Sequence, residues 1–427
     1  MTVTSINQKN ERINRILEIL QENLDRSNQL QQEFLNHQAL NLQTFAAQVG
    51  KSNPSGVSSP SKQVVINKNQ IEEFGTGSIA KCFGPEYQIL DHRKSPRIPN
   101  GDLLMIDRVL MISGERGILR PPASITTEFD IPENSWFINE NQYSGIPLGI
   151  LMEIALQPCG ILSAYLGTSL NLPADVNLFR NLDGEISFAA CPHRIGKTIT
   201  NHSTLLTSVS GGGMLIQKYT FELLINGFVF LKGNSSFGYF TQVVMEKQTG
   251  IDASNNDFPP FDDFSKIKID KLLPSGFNPS KRHLDLIDRL SFKKDSGKYG
   301  GGLIIGEKIL SGSEWFYANH FYQDPVMPGS LGIEAIVQGL WAFANNSHDK
   351  KYFHDPIVDF SHSDPFSWKY RGQVTPASGK VNFEIHLKTD QTSDSSIYLL
   401  ADADFWVDSV KIYTAQNISL TISKGKQ

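Results

Sequence analysis

An internal repeat constrains the fold of this chain more than any other feature of its sequence. The segment Met105-Ile-Asp-Arg108 returns as Leu286-Ile-Asp-Arg289, and the pair Met152-Glu153 returns as Ile333-Glu334, each time 181 positions later. Because the order and the spacing of these motifs are both kept, the sequence predicts two copies of one structural unit. With 427 residues and 40% hydrophobic content, the chain is long enough for two domains that each bury a core.

Each copy combines one apolar helix with several strands. Nearly continuous hydrophobicity predicts buried helices at about 148–166 and 330–344. Alternation of apolar and polar residues at 201–209 and 381–388 predicts antiparallel strands, and further alternation follows each of them. A sheet wrapped around a central helix accounts for this pattern, which places the chain in the α+β class.

Five segments are expected along the chain. The first is rich in Gln, Asn, Glu and Leu, with apolar residues at helical spacing. This pattern predicts an amphipathic helical segment that docks a partner, forms a coiled coil or packs on its own domain. A Ser/Pro/Gly-rich tract follows and predicts a flexible linker. The expected boundaries are 1–50 for the helical segment, 51–65 for the linker, 66–246 for the first half, 247–280 for a connector that crosses the surface, and 281–427 for the second half.

Composition and charge exclude several classes of function. The formal net charge is −5 and no long Lys/Arg block occurs, so nucleic-acid binding is not expected. The three cysteines, Cys82, Cys159 and Cys191, show neither metal-ligand spacing nor the density of a disulfide scaffold, which favours a reducing cytoplasm. There is no basic-then-apolar signal and no uninterrupted apolar run of about 18 residues, so no transmembrane segment is expected.

Most histidines of the chain do not point to a metal site. They do not lie at metal-ligand spacing from nearby cysteines or aspartates, and we interpret them as surface or packing residues. These histidines are His193, His202, His348, His354, His362 and His386. No bound metal is therefore expected.

One segment combines a histidine with a helix start and a glutamate. It runs from Trp315 to Gln338 and contains His320, the Pro328-Gly329 step and Glu334. The Pro-Gly step can end an extended segment and open a helix whose free backbone N–H groups would polarise a bound carbonyl. Histidine titrates near neutral pH, and a carboxyl on the helix is a second proton-transfer group. The motif therefore predicts acid–base chemistry beside a carbonyl group.

Four motifs of the second half occur in the order and at the distances found in a known family. They are Leu286-Ile-Asp-Arg289, the run from His320 to Glu334, Tyr370-Arg-Gly-Gln373-Val-Thr-Pro376 and Ile412-Tyr-Thr-Ala415. Over most of 283–423 the chain resembles the beta-hydroxydecanoyl-ACP dehydratase (FabA-type) family. Members of this family have a hot-dog fold and remove water from 3-hydroxyacyl groups carried on acyl carrier protein.

The first half resembles a degenerate member of the same family. Its blocks 97–108 and 151–160 look like the first hot dog of the tandem dehydratase regions in bacterial polyunsaturated fatty acid synthases and in glycolipid-type polyketide synthases. The resemblance implies an α+β double hot dog with an N-terminal helical extension. In such a fold two antiparallel sheets, each wrapped around a central helix, pack as a pseudo-dimer.

Two departures from the family pattern occur in the first half. No histidine lies between Glu133 and Pro158, and the matching positions read Asn139-Glu-Asn-Gln142. Leu148 stands where the second half has Gly329, so close approach of the backbone to a substrate carbonyl is not expected there. The first half is thus expected to lack its own base.

The resemblance also implies how the acid is supplied. In the family each site forms between two hot dogs, with the histidine from one and the acid from the other. His320 would then work with Glu153, which we favour as the acid. Glu334 is the alternative, because it stands at the family's acidic position within the intact motif. Gly329 would bind the carbonyl oxygen through its N–H group.

Further substrate contacts are expected around these groups. Gln157 and Gln338 each follow an acid by one helical turn, and they either orient the carboxyls or make structural hydrogen bonds. The expected substrate-binding residues are Val326, Pro328, Ser330, Gln157 and Gln338.

The function implied by the resemblance is dehydration of a 3-hydroxyacyl thioester to a 2-enoyl thioester, with isomerisation to a 3-enoyl product left open. The substrate would be carried on the phosphopantetheine arm of an acyl carrier protein, and no metal, flavin or nicotinamide is needed because the redox state does not change. Expected partners are the carrier protein and other synthase subunits, and the chain itself would be a monomer or a homodimer. Two alternatives remain: a hot-dog acyl-ACP thioesterase and a non-catalytic acyl-binding scaffold within the synthase.

Overall fold

The computed structural model describes residues 64–143, 145–189, 195–211, 214–251, 258–267 and 282–424. All of them belong to one compact unit, Gln63–Gln427. The helical segment expected at 1–50, most of the linker expected at 51–65, and Cys191 and His193 lie outside the described residues.

The first half starts with short helices and continues as two strands, a central helix and four strands. The helices α1 (Lys68–Thr76), α2 (Ile79–Phe83) and α3 (Gln88–Asp91) precede β1 (Arg108–Ser113) and β2 (Ala123–Asp130). Next come α4 (Trp136–Asn139), the central helix α5 (Leu148–Tyr165) and α6 (Thr168–Asn171). The remaining elements are β3 (Val176–Phe188), β4 (Thr198–Gly211), β5 (Met214–Ile225), β6 (Phe228–Thr241) and α7 (Gln242–Glu246).

The second half repeats this order. The two-residue strand β7 (Ser265–Lys266) lies within the expected connector and precedes β8 (Arg289–Lys293) and β9 (Leu303–Ile309). Next come α8 (Trp315–Asn319) and the central helix α9 (Gly329–Ser347). The remaining strands are β10 (Ile357–Asp359), β11 (Phe366–Tyr370), β12 (Lys380–Thr392), β13 (Ser396–Val407) and β14 (Val410–Ser423).

The strands of the described residues form one continuous antiparallel sheet. Its order is β1-β2-β4-β5-β6-β3 through the first half and β11-β14-β13-β12-β9-β8-β7 through the second, and β10 pairs with β14. Apart from the additional strands β7 and β10 of the second half, the two orders correspond, with β3 and β11 at the junction of the halves. These two strands pair with each other and join the halves, with Trp368 opposite Gly184. The predicted double hot dog is confirmed.

The two central helices contact each other at their N-terminal ends. Gly149 permits this approach, because a Cβ atom at this position would lie 2.7 Å from the Ser330 carbonyl oxygen. Both helices are buried along most of their length, as expected from their hydrophobicity at 148–166 and 330–344. The start of each helix therefore faces the other half of the molecule.

Helix α5 is apolar enough to be compared with a membrane span. Among the described residues, α5 is the helix long and apolar enough to span a membrane. In the fold, however, 83% of it is buried. A central helix surrounded by a sheet and by a second helix has no polar face to show to water. Its composition is therefore accounted for by its place in the core.

The helices α1 to α3 are not among the elements expected from the sequence. They are short, so an apolar period is hard to recognise in them. Ile71 and Phe83 of these helices pack with Cys159 and Leu162 of α5 in the core of the first half. Val65, at the end of the expected linker, already donates a backbone hydrogen bond to Val109. This layer brings residues 97–99 beside α5.

Candidate active site

A pocket between the two halves contains the predicted histidine. The first half supplies one face of α5 together with β3 and β6, and the second half supplies the loop after α8, the start of α9 and the end of β11. His320, Gly329 and Glu153 all line it. Glu334 is not among its lining residues.

His320 follows the last residue of α8, and its backbone is fixed by the loop that leads to α9. The His320 carbonyl oxygen accepts a hydrogen bond from the Val326 N–H, while the imidazole Nδ1 lies 3.0 Å from the Val326 carbonyl oxygen. A carbonyl oxygen can only accept, so Nδ1 carries the proton and donates it. In the neutral ring Nε2 is then the basic nitrogen.

The pKa of His320 keeps this base form available. The pKa of the imidazole is lowered to about 4, chiefly by burial and in part by the nearby Arg180 charge, while the hydrogen bond to Val326 opposes the shift. The ring is therefore neutral near pH 7 and can accept a proton at Nε2.

Glu153 comes from the first half but lies at the helix start of the second half. Its Oε1 accepts a hydrogen bond from the Ser330 hydroxyl at 2.5 Å, and its Oε2 accepts one from Gln157 Nε2 at 2.9 Å. The residue is 7% exposed. Burial raises the pKa of the carboxyl, while the two hydrogen bonds oppose the shift. The group is thus suited to hold a proton at a pH where an ordinary glutamate has lost it.

Gln157 is itself held in place by the backbone. Its Nε2 also donates to the Leu103 carbonyl oxygen, and its Oε1 accepts from the Met105 N–H. Gln157 makes contacts of both kinds left open for it. Its amide contacts the Glu153 carboxyl, and it also makes structural hydrogen bonds between α5 and the preceding loop.

Glu334 occupies the equivalent place in the first half. Its Oε2 accepts a hydrogen bond from the Gly149 N–H at 3.0 Å, at the start of α5. Burial raises its pKa to about 7, while hydrogen bonds from the Gly149 and Leu148 backbone and the Arg282 charge oppose the shift. The carboxyl therefore occupies helix-start N–H groups that a substrate oxygen would need.

Gly329 begins α9, directly after the N-cap residue Pro328. A Cβ atom on Gly329 would lie 2.5 Å from Cε2 of Tyr370, so no other residue fits without moving that ring. Gly329 and Ser330 both line the pocket, so the start of α9 faces it.

The remaining predicted contacts divide into two groups. Val326 and Ser330 line the pocket together with Gln157. Pro328 is the N-cap of α9 and is not a lining residue, and Gln338 donates its amide to the Leu284 carbonyl oxygen in the core. The structure does not place Pro328 and Gln338 on the pocket wall. Residues along a helix point in different directions, so not every residue near its start faces the same pocket.

An arginine that the sequence reasoning missed connects the two halves beside His320. Arg180 of β3 donates to both carboxylate oxygens of Asp324, at 2.6 and 3.0 Å, and to Gln373 Oε1. Asp324 lies in the loop between His320 and α9, and its pKa is lowered by these contacts although burial opposes the shift. Gln373 belongs to one of the quoted motifs, but no local pattern links it to an arginine 193 positions away.

Loss of this arginine should loosen the His320 loop. We expect Arg180→Ala to lower the free energy of unfolding by about 2 kcal/mol, because it removes charged hydrogen bonds and leaves Asp324 half-buried without its bidentate partner. Urea unfolding of the purified chain measures the change, with the exposed Arg120→Ala as the matched control. Equal stability of the two variants would contradict this assignment.

His386 is buried, as expected of a packing residue, and the fold places it beside two carboxylates. Pairing of β12 with β13 brings potential ligand atoms of Glu384, His386 and Asp404 within 4.8 Å of one another. Asp404, however, already pairs with Lys298 Nζ at 2.8 Å and Lys411 Nζ at 3.6 Å. The cluster is therefore a buried charge network on the sheet, and strand register rather than sequence spacing assembles it.

Comparison with known proteins finds similarity in the second half and over most of the chain. Residues 278–416 match the family described as FabA-like domain. The chain is also 33% identical over 392 residues to one of the subunits of a polyunsaturated fatty acid synthase from Thraustochytrium sp., an alignment that covers 83% of this chain and 26% of the relative. The chain thus spans about a quarter of that relative's length.

Solved structures resemble the chain only distantly. A protein described as an oleoyl thioesterase from Lactobacillus plantarum has a TM-score of 0.41 with 10% identity, over 73% of this chain and 100% of that one. GphF dehydratase 1 has a TM-score of 0.41 with 9% identity, over 71% of this chain and 94% of that one.

The motifs that line the pocket from the second half fall inside the FabA-like match, and the homology to the Thraustochytrium synthase extends over most of the chain. The resemblance stated from the motifs is confirmed. Residues 278–416 are similar to the FabA-like domain, and most of the chain is similar to part of a polyunsaturated fatty acid synthase subunit.

Proposed function

We propose that this chain removes water from a 3-hydroxyacyl thioester carried on the phosphopantetheine arm of an acyl carrier protein. The observation that carries the proposal is one pocket that holds His320 of the second half, Glu153 of the first half and the Gly329 helix start. A base, an acid and a carbonyl site are the three parts that elimination beside a carbonyl requires.

The thioester carbonyl oxygen would accept a hydrogen bond from the Gly329 N–H. The first N–H groups of α9 have no partner within the helix, and the helix dipole adds positive potential at this end. Both effects strengthen as negative charge develops on the oxygen, so they stabilise the enolate-like transition state more than the substrate.

Two proton transfers complete the reaction. His320 Nε2 takes the proton from C2, and protonated Glu153 gives its proton to the departing 3-hydroxyl, which leaves as water with formation of the C2–C3 double bond. Afterwards the imidazole is protonated and the carboxyl is ionised, so one proton returns to Glu153 before the next turnover. Transfer of a proton from C4 and back to C2 through the same groups would give the 3-enoyl isomer.

The shape of the pocket suggests how the substrate lies. Glu153, Leu156 and Gly160 follow one another along one face of α5, and Gly160 is roughly 10 Å beyond Glu153 at the helical rise per residue. Ile98 and Phe179 lie against Gly160, so this part of the wall is apolar. The acyl chain would extend along α5 into the degenerate half.

A larger side chain on this face should shorten the acceptable substrate. We expect Leu156→Phe to lower kcat/KM for long acyl chains by about 10-fold or more while short chains react nearly as before, since a blocked subsite removes buried apolar contact of about 0.8 kcal/mol per methylene. Rates over a series of acyl lengths measure the effect, and Leu156→Ala is the matched variant with the opposite volume change. A uniform loss at all lengths would show that the chain lies elsewhere.

The function itself is tested by mass spectrometry of a 3-hydroxyacyl carrier protein incubated with the purified chain. Loss of one water from the acyl group is the expected result. Release of free acid would mean a thioesterase, and an unchanged substrate at several acyl lengths would favour a scaffold that binds acyl chains without reacting.

The partners follow from the same proposal. Homology to a synthase supports an assembly with an acyl carrier protein and other synthase subunits. The docking role of 1–50, the cytoplasmic location and the choice between monomer and homodimer stay predictions. Deletion of residues 1–60 without loss of assembly would rule out docking through the helical segment.

A further inference from the structure

A tyrosine without a known role lines the pocket. Tyr370 is the last residue of β11 and is 7% exposed. Its hydroxyl is buried and has no hydrogen-bond partner among the described residues. Two other buried tyrosines differ: the Tyr219 hydroxyl donates to Gln217, and the Tyr317 hydroxyl donates to the Thr375 carbonyl oxygen.

An unpaired buried hydroxyl is unfavourable in the folded protein. Burial without a hydrogen bond costs about 1–3 kcal/mol, and native structures satisfy most such groups. Phenylalanine would give the same ring packing at this position without that penalty. We therefore expect a ligand bound in the pocket to form a hydrogen bond with this hydroxyl.

The position of this hydroxyl indicates which substrate atom it would contact. A Cβ atom built on Gly329 would lie 3.0 Å from the Tyr370 hydroxyl oxygen, so the hydroxyl is adjacent to the helix start where a carbonyl oxygen would bind. The Tyr413 ring lies against the Tyr370 ring, with 4.4 Å between centroids, and limits its movement. Burial raises the pKa of Tyr370 well above its usual range, and Tyr413 and Glu153 raise it further, so the group stays a protonated donor.

We propose that the Tyr370 hydroxyl donates a hydrogen bond to the thioester carbonyl oxygen beside the Gly329 N–H, so that two donors bind the developing enolate oxygen. This inference rests on the proposed dehydration. The 3-hydroxyl already has a donor in the Glu153 carboxyl, which Ser330 and Gln157 hold in place, whereas the Tyr370 hydroxyl lies beside Gly329. Tyr370 is thereby assigned as a catalytic residue that stabilises charge and transfers no proton.

The variant Tyr370→Phe tests this role. Removal of one preorganised donor to a developing oxyanion lowers kcat by roughly 10²- to 10³-fold, with a smaller effect on KM. The unfolding temperature should stay unchanged or rise, because the variant deletes an unpaired buried hydroxyl. With substrate deuterated at C2, the isotope effect on kcat should increase in the variant, since proton removal becomes more strongly rate-limiting.

The matched control is Tyr219→Phe, which removes a buried tyrosine hydroxyl that is hydrogen-bonded to Gln217 and is not a pocket-lining residue. It should show the opposite pattern, a lower unfolding temperature with an unchanged kcat. An active Tyr370→Phe, or one whose lost activity is matched by lost stability, would overturn the assignment. If the wild-type chain itself releases no water, the proposed function fails, and this inference fails with it.

Discussion

His320→Ala should lower kcat for water loss by roughly 10²- to 10⁴-fold, because the variant removes the base that takes the C2 proton. The other nitrogen-bearing side chains that line the pocket are guanidinium and amide groups, which do not accept a proton near neutral pH. Mass spectrometry of the acyl carrier substrate gives the rate. The exposed His354→Ala is the matched control and should keep the full rate.

The pH dependence follows from the same group. The pKa of His320 is lowered to about 4, so the neutral base form is lost only as the pH falls through about 4. Glu153 must be protonated, and its pKa is raised above 4.5, so the rate should fall as the pH rises through that raised pKa. A profile with its acidic limb near pH 6.5, the ordinary value for histidine, would contradict the buried neutral ring.

The same pKa shift affects stability. Between about pH 6.5 and about 4 the unfolded chain binds a proton at His320 while the folded chain does not, so stability decreases as the pH falls through this window. His320→Ala should remove this part of the pH dependence. Urea unfolding at several pH values compares the two proteins.

The second large effect is expected from substitution of the two glutamates, which shows which of them is the acid. Glu153→Gln should reduce the rate by roughly 10²- to 10⁴-fold, since glutamine keeps the size of the side chain but has no proton to give to the leaving hydroxyl. Glu334→Gln should leave the rate nearly unchanged, because Glu334 is absent from the pocket wall and binds the Gly149 N–H. Each variant is the control for the other, and dependence on Glu334 alone would move the acid to the other helix.

Glu334 should instead affect how the stability of the fold depends on pH. Its pKa is raised to about 7, so between about pH 4.5 and 7 the folded chain holds a proton that the unfolded chain releases. Its ionisation therefore makes the fold less stable as the pH rises through this window, and Glu334→Gln should reduce that loss. Unfolding experiments at pH 5 and above pH 7 measure it independently of catalysis.

Much of the fold was accessible from the sequence because the signals are local. The apolar runs at 148–166 and 330–344 correspond to α5 and α9, and the alternating runs at 201–209 and 381–388 lie within β4 and β12. The short helices α1 to α3 were not predicted, because three helices of nine residues or fewer show little period and are held by packing on α5.

The candidate site was accessible only in part, because its two halves carry similar local patterns. Glu153 and Glu334 are equivalent by the repeat, and each is followed by a glutamine one turn later. The difference lies in what faces them: Ser330 and the pocket face Glu153, whereas Gly149 faces Glu334. Arg180 and the unpaired Tyr370 hydroxyl had no local signal, since their importance depends on neighbours far away in the chain.

By itself the sequence determined the repeat, the two buried helices, the α+β class and the histidine at the helix start, because hydrophobic period and residue spacing are properties of neighbouring positions. Only the tertiary structure decided which glutamate shares a pocket with His320, which nitrogen of that ring is basic and which hydroxyl has no partner among the described residues. Those properties arise where the starts of two helices meet across a pair of joined sheets. Burial, hydrogen-bond partners and pKa at that meeting point depend on distances in space, which the order of residues does not contain.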